Sequence, residues 1–383
     1  MRLAVIFESS PFDRKGLFNA VHNRIRHLVA SGECTVDVYC IHSRDNAFTR
    51  YVRKTPRVPF VDSVIVEGIT YNILWYRFSI IDHILFSKLH WRPVVFSRFL
   101  RKVLPHLYGY DAVIAHSFIG AVAACTAFQE YGTPYFVTWH GSDIHTHPWH
   151  NPQLLADTKT VMDNAACNFF VSRALKEHSD LISTSARKEI LYNGVSEAFV
   201  EYSQAVREQV REQYGLSKDD KGVAFVGNIV QVKNVRSLAP IFDRIASGYS
   251  GKLKFWIVGD GKLRNDVERD FHGSEVRFFG NVSSELMPEI MNCIDVLVLP
   301  SFNEGLPLVC AEALSCGANV VGSCVGGIPE VIGENNVVPL GDGFVEGIAM
   351  RAVQMLNGRV TQRLPQAFDW NLTAAKELSI LKS

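Results

Sequence analysis

Two glutamates, Glu304 and Glu312, frame the stretch of this chain richest in chemical signal: Pro300-Ser301-Phe302-Asn303-Glu304-Gly305-Leu306-Pro307-Leu308-Val309-Cys310-Ala311-Glu312-Ala313-Leu314. An apolar run ending at Leu299 precedes it. Pro307 suits the first position of a helix, because proline has no N–H to lose there. The backbone N–H groups at such a start are unpaired and sit at the positive end of the helix dipole. That arrangement fits an anion such as a diphosphate. A carboxylate can accept paired hydrogen bonds from vicinal hydroxyls on a ribose or a pyranose. Glu304 in the loop and Glu312 about a turn inside the helix would therefore suit the two ends of a sugar nucleotide.

Two further segments carry chemistry. In Phe225-Val226-Gly227-Asn228-Ile229-Val230-Gln231-Val232-Lys233-Asn234, Gly227 lets the backbone turn and Lys233 brings a point charge to an anion. In Thr138-Trp139-His140-Gly141-Ser142-Asp143, His140 follows an apolar run. Its imidazole can donate to a developing negative oxygen or hold a hydroxyl. His145, His147 and His150 come close behind but lack metal-ligand spacing on a regular element, and they read as a polar loop. No Asp-x-Asp occurs. Lys233, helix amides and His140 are then the groups left to offset a leaving diphosphate, with no metal expected. Gly259-x-Gly261 lacks the third glycine of a dinucleotide fingerprint.

These groups must stand on a scaffold. Leu3–Phe7, Val36–Ile41, Ala112–Ala115, Tyr135–Thr138 and Asn168–Val171 read as buried strands separated mostly by helical patterns. Gly222–Val226, Leu253–Val258, Val276–Phe279, Val296–Leu299 and Asn319–Val321 repeat the design. Alternating strands and helices imply parallel sheets with both faces covered, with ligands at the carboxyl ends of the strands. The 383 residues, 47% of them apolar, suffice for two such domains. Their boundary is expected near 195, with Glu197–Asp220 as linker and first helix. Residues 1–190 hold 21 Lys+Arg against 16 Asp+Glu; the totals of 39 and 39 leave 18 and 23 for the rest, so balances of +5 and −5 face each other. A neutral total speaks against nucleic acid as a partner. The eight cysteines are scattered, without zinc spacing, and read as small buried hydrophobes. No run of about 18 uncharged apolar residues predicts a membrane span. The opening residues read as a strand rather than a signal peptide, so a cytoplasmic location is expected. Between Tyr71 and Tyr110 aromatics and bases crowd together, among them Trp75, Arg77, Phe78, Phe86, Lys88, Trp91, Arg92, Phe96, Arg98, Arg101 and Lys102, with Asp82 the single acid. Such a segment could lie on an anionic membrane as a basic amphipathic helix, or pack as a core-facing helix with a solvated basic side.

The glutamate pair in its Pro-Ser-x-x-Glu-Gly setting, Gly317, and the turn Gly326-Gly327-Ile328-Pro329-Glu330 resemble the signature of glycosyltransferase family 4. The likeness spans nearly the whole chain, is strongest from about 222 to 340, and leans toward teichuronic-acid- or capsule-type polysaccharide transferases. It implies a GT-B fold: two Rossmann-like, doubly wound α/β domains (1–195 and 196–365) with a cleft between them and a C-terminal helix, 366–383, crossing back to the first. It implies transfer with retention from a nucleotide diphosphate-sugar, uridine diphosphate by default, to a glycan or lipid-linked saccharide. The diphosphate oxygen would help to remove the acceptor proton. By this resemblance Glu304 holds the donor sugar, Glu312 the ribose, and the backbone of Gly305, Leu306, Pro307 and Leu308 approaches sugar and phosphates. Asn281 and Val282 fall near the nucleobase. His140 touches donor sugar and phosphate, with Asp143 nearby, and Gly16 and Asp143 lie on the acceptor side. Lys233 matches the family cation, while Asn228 stands where arginine is usual, which removes a charge and a bidentate fork. Two other classes stay open on this scaffold: a nucleotide-sugar epimerase and a non-catalytic nucleotide-sugar-binding protein.

Overall fold

The computed structural model describes residues 1–383 apart from 13–15, 45–47, 49, 52–56, 78–80, 83, 86–93, 151 and 272–274. The chain divides into two compact units, Met1–Asn193 with Trp370–Ser383, and Gly194–Asp369.

In the first unit β1 (Arg2–Glu8) carries five consecutive buried residues, Leu3 to Phe7. A strand buried on both faces requires parallel neighbours and covering helices. It lies in an eight-stranded sheet with β2 (Thr35–Arg44), β3 (Ser63–Val66), β4 (Ile69–Arg77), β5 (Ala112–His116), β6 (Tyr135–Trp139), β7 (Cys167–Phe170) and β8 (Lys188–Ile190), in the order β3-β4-β2-β1-β5-β6-β7-β8. β3 alone among the described strands is antiparallel, and it joins β4 through Glu67 and Gly68, both at positive φ. The strand order turns at β1, between β2 and β5, and the crevice that such a reversal opens lies at the strands' carboxyl ends. Helix α1 (Gly16–Ala30) covers one face and buries Phe18, Val21, Ile25 and Leu28. The C-terminal helix Trp370–Leu381 packs against α1, adding Ala374, Leu378 and Leu381 to the same core.

The second unit holds β9 (Asp220–Val226), β10 (Lys252–Val258), β11 (Val276–Gly280), β12 (Val296–Leu299), β13 (Asn319–Ser323) and β14 (Val337–Val338), all parallel, in the order β11-β10-β9-β12-β13-β14. Here the reversal falls between β9 and β12. The two loops with the strongest sequence signals follow these two strands.

The basic aromatic segment is not one helix. Ile69–Arg77 is strand β4, with Tyr71 and Ile73 buried in the core. Pairing with β2 and β3 overrides any helical tendency there. Val94–Val103 is helical, with Phe99, Leu100 and Val103 buried and Arg98, Arg101 and Lys102 exposed. Phe78, Phe86, Lys88, Trp91, Arg92 and the side chain of Phe96 lie outside the described residues. No described helix is long and apolar enough to cross a membrane.

Candidate active site

In the second unit the loop after β12 meets the turn after β9. Phe302 N–H donates to the Val232 carbonyl at 2.8 Å, which ties the two loops together. This brings Lys233 Nζ to 2.5 Å from Glu304 Oε1, and Ser301 Oγ donates to the same oxygen at 2.7 Å. Lys233 is 21% exposed and Glu304 9%. The loop itself is held from outside. Ser323 Oγ donates to the Ser301 carbonyl at 2.5 Å, and Gly327 N–H to that of Gly305 at 3.1 Å. Gly326 sits at φ +51°, and a Cβ there would stand 1.9 Å from the Glu304 carbonyl oxygen. The Gly-Gly turn is therefore the wall that shapes the Glu304 loop, and a side chain in it would push that loop aside.

The following helix, Leu308–Ser315, starts one residue later than Pro307 suggests. Pro307 is its extended N-cap residue, and no side chain caps this end; Cys310 N–H donates to the Pro307 carbonyl at 3.0 Å. Glu312 lies in the next turn, half-buried, with no hydrogen-bond partner for its carboxylate among the described residues. Burial pushes its carboxyl up to about 7. Asn228 is exposed just beyond Gly227. Asn281 is exposed and Val282 half-buried directly after β11. Gly259 N–H donates to the Gly280 carbonyl at 2.8 Å, and a Cβ on Gly259 would lie 2.0 Å from the Gly227 carbonyl oxygen. Gly259-x-Gly261 is thus a loop-packing element, as its missing third glycine already implied.

In the first unit β6 ends at Trp139, and His140 opens the turn into the short helix Ser142–His145. Asp143 is buried and accepts from the N–H groups of His140 at 3.1 Å and Gly141 at 2.8 Å. Its carboxylate holds this turn in shape. The His140 ring is half-buried, and its Nε2 lies 3.0 Å from Nδ1 of His116, the last residue of β5. Burial and the nearby Arg24 cation push the His140 imidazole down to about 3, and burial drives His116 well below its usual range. Arg24, on α1, is fully buried. Its guanidinium donates to Thr138 Oγ1 at 2.7 Å and pairs with the fully buried Glu377 of the C-terminal helix at 3.2 Å. Ser117, next to His116, is held at φ +64°. Gly16 is the exposed first residue of α1, with no atom of the described residues within 4 Å of where a Cβ would be.

The two motifs of the second unit thus converge at Lys233 and Glu304, and the His140 motif stands in the first unit. His116, Arg24 and Glu377 escaped them, and Ser301, quoted within the first motif, was given no role there. The signal for His116 was present, a histidine ending the apolar run Ala112–Ala115. His145, His147 and His150 fall on a short helix and a 3₁₀ turn rather than in an irregular loop. The His145 ring packs against His178 at 4.5 Å between centroids, and the described residues hold no group of three or more side chains placed for a metal.

Two family models match the chain. "Glycosyl transferase 4-like domain" covers residues 16–194 and "Glycosyl transferases group 1" covers 220–358. The chain belongs to the group 1, family 4-like glycosyltransferases. Among curated relatives, this glycosyltransferase is 25% identical over 333 residues to TuaC of Bacillus subtilis (strain 168), named as a teichuronic acid biosynthesis glycosyltransferase, across 86% of this chain and 82% of TuaC. Among solved structures, sucrose-phosphate synthase from Thermosynechococcus elongatus superposes with TM-score 0.70 at 18% identity, covering 100% of this chain and 98% of that one. HepE of Anabaena, solved with UDP and glucose, gives 0.68 at 17% identity, covering 99% and 97%. These likenesses establish the GT-B fold of the glycosyltransferase.

Proposed function

We propose that this glycosyltransferase moves a sugar from a nucleotide diphosphate-sugar, with uridine diphosphate as carrier, to a glycan or lipid-linked saccharide of a cell-surface polysaccharide. The observation that carries the reading is the Lys233–Glu304–Ser301 cluster beside an uncapped helix start, at the strand reversal of the second sheet. The UDP and glucose bound by HepE, and the teichuronic acid biosynthesis for which TuaC is named, point the same way. In this reading the diphosphate lies at the amides of Gly305 to Leu308. Lys233 turns from Glu304 to the phosphates, and Glu304, still held by Ser301, takes the sugar hydroxyls. Glu312 takes the ribose, while Asn228, Asn281 and Val282 line the nucleotide. Asn228 leaves the phosphates with one cation fewer than an arginine would supply, so Lys233 carries more of the leaving charge. His140 donates to the transferred sugar or its phosphate, with its turn held by Asp143. Gly16 leaves open space for the acceptor. Transfer proceeds with retention and without a metal. The basic helix Val94–Val103 touches an anionic membrane surface from the cytoplasmic side, where a lipid-linked acceptor would reside.

Calorimetry of a panel of nucleotides and nucleotide-sugars, with chelator present, tests the donor site. One diphosphate carrier is expected to bind, and Glu312→Ala to lose it. The pH dependence has a definite sign. Glu312 accepts hydroxyls as a carboxylate and titrates at about 7. Affinity should therefore fall as pH drops, by roughly tenfold from 7 to 5.5. Absence of any nucleotide binding would overturn the assignment.

A further inference from the structure

The first unit contains a pair of imidazoles whose protons can be placed. His116 Nδ1 and His140 Nε2 are 3.0 Å apart, a hydrogen bond that needs one proton. His116 is 1% exposed, and its other nitrogen, Nε2, is buried with no hydrogen-bond partner among the described residues. His140 is half-buried, its backbone N–H is held by Asp143, and no described group bonds to its Nδ1. That nitrogen is the ring's remaining polar atom.

The charged groups around the pair decide its net charge. Arg24 on α1 is buried and lies close enough to act on both rings. Its partner Glu377 on the C-terminal helix reaches the guanidinium, not the imidazoles. Asp143 is occupied by backbone amides, and Glu8, at the end of β1, accepts from the Tyr76 hydroxyl at 3.0 Å. A protonated pair would place a second buried cation beside Arg24 with no free carboxylate to offset it. Both rings are therefore neutral, with one N–H each.

Two arrangements remain. If His140 donates from Nε2, His116 must carry its own proton on Nε2, a buried N–H without an acceptor. If His116 donates from Nδ1, the unpartnered atom is a bare ring nitrogen, and the His140 proton sits on Nδ1. Orphaned buried N–H groups are rarer than under-satisfied acceptors, so the second arrangement wins. We propose that His116 is a positioning residue that locks His140 as the neutral Nδ1–H tautomer, so that His140 serves its ligand as a hydrogen-bond donor to an oxygen and not as a general base. This rests on the reading that His140 belongs to the transfer site.

The test uses the full chain with ¹⁵N-labelled histidine. Long-range ¹H–¹⁵N spectra between pH 6 and 8 read the tautomer of each ring, with His140→Gln identifying the signal. The native protein is expected to show His140 protonated at Nδ1 throughout. His116→Phe should release it toward the Nε2–H form and lower kcat about 10- to 100-fold, the range over which orienting partners act on a ligand imidazole. His116→Gln, whose amide can still donate to Nε2, should restore the tautomer and most of the rate. A native His140 protonated at Nε2, or one that becomes cationic in this range, overturns the proposal even if His140→Gln abolishes transfer. Conversely, an Nδ1–H tautomer with His140→Gln and His116→Phe both fully active would keep the tautomer but remove His140 from the transfer site. Melting temperatures of the variants separate either result from misfolding.

Discussion

In the second unit Lys233 and Glu304 form an ion pair that is 21% and 9% exposed, carried on loops that follow two adjacent strands. In the first unit Arg24 and Glu377 form one that is 1% and 0% exposed, carried on the two ends of the chain. The partly exposed pair can exchange its partners for a ligand at little cost, because water and the ligand both solvate what is released. The sealed pair cannot. Charges taken fully out of water depend on each other, and removing one leaves the other without compensation. One unit therefore holds a pair that a substrate can open, and the other holds a pair that fixes the scaffold beneath His140.

The largest expected effect breaks the sealed pair. Glu377→Gln or Arg24→Met should each destabilise the protein by about 3–5 kcal/mol. The double change Arg24→Met/Glu377→Leu should recover most of that loss. Urea unfolding checks this, and a single variant as stable as the native chain would mean that the pair does not hold the first unit. Next comes the open pair. Lys233→Met should cut kcat by about 10²–10³, as for loss of a group that stabilises developing charge, and leave the urea midpoint nearly unchanged. A large fall in stability with little loss of rate would make the second pair structural like the first and erase the contrast. The smallest effect concerns the surface. The unevenly spread charge, positive in the first half of the chain, predicts that the native protein sediments with anionic liposomes. Arg98→Ala/Arg101→Ala should weaken this by about 30-fold, at about 1 kcal/mol per base. Equal sedimentation with neutral liposomes would discount the charge.

The contrast also explains what could be read from residues alone. Most strands in the middle of a sheet were visible as largely apolar runs, because both of their faces are covered. β4 was not, since Trp75, Tyr76 and Arg77 break the run; β3 is an edge strand with exposed positions, and β8 and β14 are too short to stand out. Most donor-side candidates were readable because they lie within a few residues of a strand end and a turn signal, and Glu312 by its spacing from Glu304. The Gly326-Gly327 turn was recognisable as a motif, but its purpose emerges only from its 1.9 Å approach to the Glu304 carbonyl oxygen. His116 and His140 stand 24 residues apart, and Arg24 and Glu377 are joined only by tertiary packing. No local pattern marks such partners, because what selects them is a shared buried volume.

The C-terminal helix gives the order of synthesis a role in stability. Arg24 and Glu377 are 377 − 24 = 353 residues apart, and the whole second unit is translated between them. At roughly 5–20 residues per second, the buried guanidinium waits about 20–70 s for its carboxylate. During that interval the second unit can fold on its own stretch of chain, while the first lacks both the helix that covers α1 and the charge that neutralises its interior. The helix Trp370–Leu381, made only after the whole second unit, is thus the piece that completes the first.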